Sequence, residues 1–316
     1  MEACIIVTYR CNAQCHMCNT WQFPSRPEDE ISPDIVQKLP NGLKFINITG
    51  GEPFIREDLE DIVAIALKKA ARVVISSNGY FTEKMIQLGK RHPDLGFRVS
   101  IEGLPAANDK LRGIPNGFDH GLRSLLGLRA IGLKDLGFGI TVSDVNAKDM
   151  IDLYRLADAM GLEFATASTH NSYYFHKHDN GFNDCEMIAG EFEKISCELL
   201  KTWKVKNWFR AYFNHGMANY VRGGKRFLPC EVGTDMFFLD PFGKIMPCNG
   251  LDQEMSMGDL KKQSFSEIWT SEQAQRVRDV VKNCQKQCWM IGSVSPAMKK
   301  NVLTPIKWIL RQKLAL

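Results

Sequence analysis

The sequence of 316 residues has no long hydrophobic run, no block of like charge and no export signal. No apolar stretch approaches the length of a membrane span, and Met1-Glu2-Ala3 leads straight into the first apolar run, without the features of a signal or transit peptide. A net charge of +4 is mild for this size, and no basic block suggests nucleic acid as a partner. We therefore expect a cytoplasmic protein.

The composition is that of a folded protein rich in thiols. Hydrophobic residues make up 44% of the sequence, which is enough for a substantial core. Ten cysteines in a chain without an export signal favour a reducing compartment and metal ligation over a disulfide framework. Seven of the ten fall into two groups, one near each end of the chain.

Short β-branched runs alternate six times with longer amphipathic segments up to about residue 168. Such alternation predicts parallel strands joined by crossover helices. The predicted strands are Cys4–Thr8, Lys44–Thr49, Arg72–Ser77, Phe97–Ile101, Gly137–Val142 and Glu163–Ala167. We therefore expect an α/β fold with a partial (β/α)6 TIM-like barrel over residues 1–168, whose working residues lie at the carboxyl ends of the strands.

The rest of the chain fits no further unit of strand and helix. Residues 169–225 begin with a polar, aromatic stretch and continue into a predicted helix at 185–204, so we expect a connecting segment that faces substrate. Residues 226–295 suggest a small α+β domain, and residues 296–316 end in an amphipathic helix near Pro305. That helix is expected to pack on the protein body, with membrane-surface contact as the alternative.

Cys11, Cys15 and Cys18 lie within eight residues directly after the first predicted strand. This spacing places the three thiols on one loop, where they can converge on one inorganic centre. Three thiolates can hold three irons of a [4Fe–4S] cluster and leave the fourth iron open, whereas a complete electron-transfer cluster takes four. Zinc is the competing interpretation, although zinc sites usually contain paired Cys-x2-Cys elements.

The Cys-x3-Cys-x2-Cys pattern after a first strand resembles the signature of the radical S-adenosylmethionine (SAM) superfamily. The resemblance implies that the open iron binds the amino and carboxylate groups of SAM. It also implies that one-electron reduction yields a 5′-deoxyadenosyl radical, which abstracts hydrogen from substrate. The same resemblance implies the partial barrel and a reductant protein such as flavodoxin or ferredoxin. In this arrangement the cofactor performs the difficult chemistry and the protein positions it.

Motifs at the ends of the predicted strands resemble the SAM contacts of the same family. Residues 50–53 resemble the GGEP motif, in which glycines let the backbone approach a ligand and Glu52 can accept from the SAM amino group. Residues 76–79 and 100–103 resemble patterns that approach the ribose or the amino acid moiety; strand-ending polar turns are the alternative. The candidate cofactor contacts are Met17, Gly50, Gly51, Glu52, Ser77, Asn78, Ser100, Glu102 and Arg112.

Three positions depart from the usual family pattern. Glu102 stands where Asp is commoner, Asn108 stands where His is usual, and Met17 stands where many relatives carry an aromatic residue. Met17 can offer its thioether and backbone to adenine. Arg112 can form a bidentate pair with the SAM carboxylate, and an exposed arginine at a helix start is the alternative.

The second group of cysteines is Cys230, Cys248, Cys284 and Cys288. The stretch between the first two predicts a short hairpin, and the last two follow a predicted helix at Ser266–Val281. Four such thiols can close one [4Fe–4S] cluster or one zinc site. The spacing is similar to the SPASM/twitch branch of the superfamily, and four rather than seven cysteines imply one auxiliary cluster with a role in electron transfer.

The substrate is the part of the function that the sequence specifies least. Peptide-modifying relatives often carry a leader-binding domain before the barrel, and none is expected here, which favours a small polar molecule such as a sugar, aminocyclitol or glycan precursor. The alternative is a RiPP-type peptide-modifying enzyme with a separate leader-binding partner. A metal held by His176 and His178 is a weaker alternative. Candidate substrate contacts are His170, His176, Arg210, Tyr173, Tyr174 and Trp208.

Two fates of a substrate radical are consistent with the resemblance. Dehydrogenation would pass one electron to the auxiliary cluster, whereas epimerisation would return hydrogen from a thiol. Cys185 and Cys197 lie outside both cysteine groups and are the candidate hydrogen donors, with plain packing as the alternative. We therefore expect an oxidoreductase or epimerase; the alternative from a different class is a zinc-stabilised binding protein.

Overall fold

A nine-stranded sheet organises the computed structural model, which describes residues 1–315 apart from the side chain of Gln253. The strand order is β6-β5-β4-β3-β2-β1-β7-β8-β9. Strands β1 to β7 run parallel, whereas β8 and β9 are antiparallel to their neighbours. The strands are β1 (Glu2–Ile6), β2 (Phe45–Thr49), β3 (Val73–Ser77), β4 (Gly96–Ser100), β5 (Leu136–Val142), β6 (Glu163–Ser168), β7 (Met236–Leu239), β8 (Lys244–Met246) and β9 (Gly258–Asp259).

Helices occupy the connections between the first six strands, as expected for a partial barrel. All six predicted strands are present, each within two residues of its predicted bounds. Parallel neighbours cannot be joined by a tight turn, so each connection must cross over the sheet. The helices of these connections are α1 (Pro33–Gln37), α2 (Leu59–Lys69), α3 (Thr82–Arg91), α4 (Pro105–Arg112), α5 (Gly117–Ala130) and α6 (Met150–Ala159).

Strand β1 is buried at every residue because both faces of the sheet are covered at its centre. Alternate side chains point to opposite faces. Ala3 and Ile5 therefore join the main core between sheet and helices, whereas Cys4 and Ile6 join a second core that contains Phe238. This second core lies on the inner face of the barrel and anchors the strand from which the cysteine loop begins.

The sheet continues across the expected boundary at residue 226. Strand β7 pairs in parallel with β1, from Glu2↔Met236 to Ile5↔Leu239, and the hairpin β7-β8 extends the sheet beyond it. The predicted helix at Ser266–Val281 is two helices, α9 (Phe265–Thr270) and α10 (Glu272–Lys282). Ser271 separates them, because it ends α9 and its hydroxyl caps α10 by accepting from the Ala274 backbone N–H.

Helices α7 (Cys185–Lys201) and α8 (Val205–Val221) pack against each other after β6. The chain ends in α11 (Ile291–Lys300) and α12 (Leu303–Ala315), so the expected boundary at 295/296 falls within a helix, and Leu316 lies outside the described residues. Helix α12 packs on α8, where its Trp308 ring stacks on His215. Among the described residues, no helix is both long and apolar enough to cross a membrane.

The contact between α8 and Trp289 gives a test of the packing. A Cβ at Gly216 would overlap the buried Trp289 indole, whereas a Cβ at Gly190 on α7 would meet nothing within 4 Å. We expect Gly216→Ala to lower the free energy of unfolding by roughly 1–3 kcal/mol through overpacking. Gly190→Ala, the matched control, should raise it by about 0.5–1 kcal/mol. Urea unfolding of both variants checks this, and equal effects would contradict the described packing.

Candidate active site

The loop with Cys11, Cys15 and Cys18 lines a cavity at the carboxyl ends of the parallel strands. Cys15 is buried, and Cys11 and Cys18 are half-buried. The loop is fixed against α4, because the backbone N–H groups of Gln14 and His16 donate to the carbonyls of Arg112 and Leu111. The structure thus brings the predicted three thiols to one side of one cavity.

The glycine pair after β2 holds the start of the cysteine loop by backbone contact. The N–H of Gly51 donates to the Thr8 carbonyl at 2.7 Å, and the N–H of Glu52 donates to the Arg10 carbonyl at 2.8 Å. A Cβ at Gly50 would lie 2.7 Å from the Thr8 carbonyl oxygen, and a Cβ at Gly51 would overlap the Arg10 carbonyl. Both positions therefore require glycine for this close approach.

A buried carboxylate that the sequence analysis missed supports the same segment. Glu30 accepts from the Thr8 hydroxyl and from the Arg10 guanidinium, whose Nη2 lies 2.8 Å from Oε2. Arg56 donates from Nη1 to Glu30 at 3.2 Å and to the Val7 carbonyl at 2.7 Å. A buried carboxylate paired with two guanidinium groups is satisfied on both oxygens. No local pattern marks Glu30, because its partners are distant in the sequence.

Glu52 organises the neighbouring strand ends and does not line the cavity. Its carboxylate accepts from the Ser77 hydroxyl at 2.9 Å and from the backbone N–H of Asn78 at 2.7 Å. It also accepts from the backbone N–H of Phe54 at 3.1 Å. Burial raises the pKa of Glu52. The Glu52 carboxylate thus lies behind the cavity wall, where it fixes Ser77 and Asn78. Its contact with the SAM amino group stays a prediction.

Arg112 lies in the cavity wall beside Glu102 and the cysteines. Its Nη1 donates to Glu102 Oε1 at 3.1 Å, whereas its Nε is buried without a hydrogen-bond partner among the described residues. Burial by itself lowers the pKa of Arg112. The nearby Cys15 and Glu102 groups raise it by more, so the net shift of the Arg112 pKa is upward. Asn108 accepts from the Glu102 backbone N–H at 2.8 Å. Arg112 thus brings a positive charge to the cavity wall.

A strap from the segment after β6, residues 169–175, forms one side of the cavity. Thr169, His170, Tyr174 and Phe175 line it, as do the predicted contacts Met17 and Ser100. The Tyr174 hydroxyl donates to the Gly50 carbonyl at 2.6 Å, which ties the strap to the glycine pair. The Thr169 hydroxyl and the His170 Nε2 are buried without partners in the described structure.

The other predicted substrate contacts do not line the cavity. His176 stacks on Phe23, and Tyr173 lies in the second core beside Cys248. Arg210 pairs with Glu163, and the Trp208 indole donates to the Thr202 carbonyl. The candidate hydrogen donors are also outside the cavity wall, because Cys197 is exposed on α7 and Cys185 packs at the start of that helix.

The residues of the cavity fit a three-thiol cluster with SAM as its ligand. Burial raises the pKa of Cys11 to about 12 and that of Cys15 to about 11, so thiolate at this site requires a metal to stabilise it. The guanidinium of Arg112 suits a carboxylate, and the hydroxyl of Ser100 suits a ribose; both residues line the cavity. Cys11, Cys15 and Cys18 would hold the cluster.

The second group of cysteines also comes together, at the end of the sheet beyond β7. Burial raises the pKa of Cys248 to about 11, and the neighbouring Cys230 and Cys288 thiols add to this rise. The Arg226 guanidinium lies near Cys230 and donates to the Leu228 and Pro229 carbonyls. These thiols would hold the auxiliary cluster.

Within residues 1–315, no three or more His, Cys, Asp or Glu side chains converge closely enough to hold a single metal ion.

Comparison with known proteins identifies two matching families. The radical SAM superfamily model matches residues 5–157, and the SPASM iron-sulfur cluster-binding domain model matches residues 230–289. The AdoMet-dependent heme synthase of Nitratidesulfovibrio vulgaris is 26% identical over 297 residues, which cover 83% of this chain and 77% of that protein. The sporulation killing factor maturation protein SkfB of Bacillus subtilis is 21% identical over 290 residues, which cover 88% of this chain and 67% of that protein.

The fold is shared with a solved structure. Native anSMEcpe with bound AdoMet and Kp18Cys peptide has a TM-score of 0.67 at 12% sequence identity, covering 100% of this chain and 99% of that chain. At this identity the likeness shows the fold alone.

The glycine contact generates a prediction about metal content. Gly51→Ala should displace residues 8–10, because the new Cβ overlaps the Arg10 carbonyl, and with them the cysteine loop. We expect reconstituted iron to fall from about eight to about four atoms per chain, since the auxiliary cysteines are unaffected. Gly181→Ala, with nothing within 4 Å of its Cβ, is the control. Iron and sulfide assays decide, and full iron loading in Gly51→Ala would contradict the role given to this contact.

Proposed function

Because this chain belongs to the radical SAM superfamily and carries a SPASM iron-sulfur cluster-binding domain, we propose that it abstracts hydrogen from a peptide that enters through the open edge of the barrel. Its cofactors are SAM and iron-sulfur clusters. When bound at the three cysteines, the cluster and SAM supply a 5′-deoxyadenosyl radical. The protein's own part is to bind, orient and shield these groups.

The cavity wall divides these tasks among its residues. Cys11, Cys15 and Cys18 would hold the cluster, and the guanidinium of Arg112 would bind the carboxylate of SAM. The strap at Tyr174, held by its hydrogen bond to Gly50, covers one side of the cavity. Such cover limits the access of water, which protects a reactive species from side reactions.

The observation that carries the peptide proposal is the open inner face at β6. This strand is the edge of the sheet, and Ala165 on it is exposed. The neighbour of Ala165 across the sheet is Gly139, which has no side chain. Ser100 and Thr141 join this open face to the cavity wall. A slot beside an unpaired strand edge suits an extended chain.

The proposal replaces the expected sugar, aminocyclitol or glycan substrate. None of the relatives reported above is named for action on such a molecule, whereas SkfB is named as the maturation protein of a sporulation killing factor. Neither Cys185 nor Cys197 lines the cavity. Their positions favour dehydrogenation or bond formation over epimerisation by return of hydrogen from either thiol.

A tetrapyrrole is the second candidate substrate. The heme synthase relative supports it, because its similarity extends over 83% of this chain and reaches 26% identity. A planar macrocycle could enter by the same open edge at Ala165. The chemistry common to both candidates is abstraction of a hydrogen atom from an unactivated C–H bond.

Deuterium transfer distinguishes the two candidates. Reconstituted protein with reductant and SAM is mixed with short synthetic peptides deuterated at their side chains, or with a deuterated porphyrin. We expect deuterium in 5′-deoxyadenosine and a mass change in the peptide. Transfer from the porphyrin alone would establish the second candidate instead, and transfer from neither would contradict both. Cys15→Ala, which removes one ligand to the cluster, is the control and should transfer none.

A further inference from the structure

A row of side chains crosses the inner face of the barrel below the cavity. Ser100 lines the cavity, and Arg98, two residues earlier on β4, points to the same face because side chains alternate along a strand. Registered neighbours in a parallel sheet share a face, and Arg98 pairs with Ser76 on β3 and with Gly137 on β5. Gly137 in turn pairs with Glu163 on β6. Arg98 and Glu163 are therefore parts of the inner wall.

Basic side chains gather around this row from the start of β3, from β4 and from α8. Arg72 and Arg98 both pair with Asp135, each at 2.7 Å. Lys206 pairs with Glu163 at 2.8 Å, and Arg210 donates to the same Glu163 oxygen. Lys206 and Arg210 lie at the start of α8 and reach the sheet at its open edge. We call Arg72, Arg98, Lys206 and Arg210 the basic cluster.

The basic cluster carries more positive charge than its partners neutralise. Its ion pairs join four cations to two carboxylates, which leaves two positive charges in excess. Burial and the charges of Arg98 and Arg72 lower the pKa of Arg210 to about 10, and burial with the same two charges lowers the pKa of Lys206. The four groups thus repel one another, and a further anion would relieve that repulsion.

We propose that the basic cluster binds a carboxylate of the substrate at the open edge of the barrel. The inference rests on the proposed function, because it names the group by which the substrate is held. Two residues of strand separate Arg98 from Ser100, or about 7 Å at the usual rise of a strand. A substrate whose carboxylate lies on the cluster would therefore extend along the inner face by at least this length to reach the SAM cavity.

This chemistry is shared by the two candidate substrates. An acidic side chain of a peptide and a carboxylate side chain of a tetrapyrrole both present a flexible anionic group. Guanidinium groups suit it, because they donate in a planar fork that matches a carboxylate. Gly139 and the exposed Ala165 leave room beside the cluster for the rest of the molecule.

The test measures affinity, which does not depend on turnover. Reconstituted protein with SAM is titrated with coproporphyrin III and with its methyl ester. A second pair of probes is an alanine-based peptide with one glutamate and its glutamine counterpart. At least one acid should bind more tightly than its uncharged partner, and the preference should shrink as salt is added.

Reversing the charge of Lys206 tests whether the basic cluster causes the preference for the acid. Lys206→Glu should weaken binding of the preferred acid about threefold to tenfold and leave the uncharged partner unchanged. Lys201→Glu is the matched control, since Lys201 and Lys206 are both 59% exposed in their side chains and both pair with a glutamate. Thermal unfolding verifies that both variants fold.

The outcomes separate this inference from the proposed function. Equal binding of acids and uncharged partners overturns the inference, as do equal effects of the two reversals or no binding of either acid. Deuterium transfer from a substrate without any preference for carboxylates would leave the proposed function standing and remove only the basic cluster's role.

Discussion

The site depends on the backbone contact between residues 8–10 and the glycine pair after β2. Two short N–H to carbonyl hydrogen bonds join these segments, and they form only because no Cβ stands between the chains. Glu30 holds the same segment from the other side with its two guanidinium partners. The carboxyl ends of β1 and β2 thus fix the positions of the three thiols. Functional residues of parallel α/β barrels generally lie at these ends of the strands.

Each region of the inner face has its own chemistry. The carboxyl ends of the strands carry thiols, glycines and a strap that covers one side of the cavity, whereas the opposite ends carry the basic cluster. Between them, Gly139 and the exposed Ala165 leave the face open near the edge strand. The sheet also runs through β1 into β7, so the two groups of cysteines are built on one continuous hydrogen-bonded scaffold. A radical site and a neighbouring cluster site can therefore keep a fixed separation.

Local patterns predicted the six strands, the cysteine loop and most of the cavity wall. Each of these features depends on residues that are close together in the sequence. Contacts between distant residues were not predictable in this way. Glu30 lies in an irregular segment, Glu52 faces protein donors rather than the cavity, and β7 pairs with a strand more than two hundred residues earlier. The hydrogen-donor hypothesis for Cys185 and Cys197 rested on residue type alone, and burial and position place both away from the cavity.

We propose that the three thiols of the first loop support reductive cleavage of SAM. The decisive measurement is release of 5′-deoxyadenosine by protein that is reconstituted without oxygen, reduced chemically and supplied with SAM but no substrate. We expect slow release from the native chain and none from a variant in which Cys11, Cys15 and Cys18 are all alanine. No release from native protein with its full complement of iron and sulfide would rule out this role of the thiols.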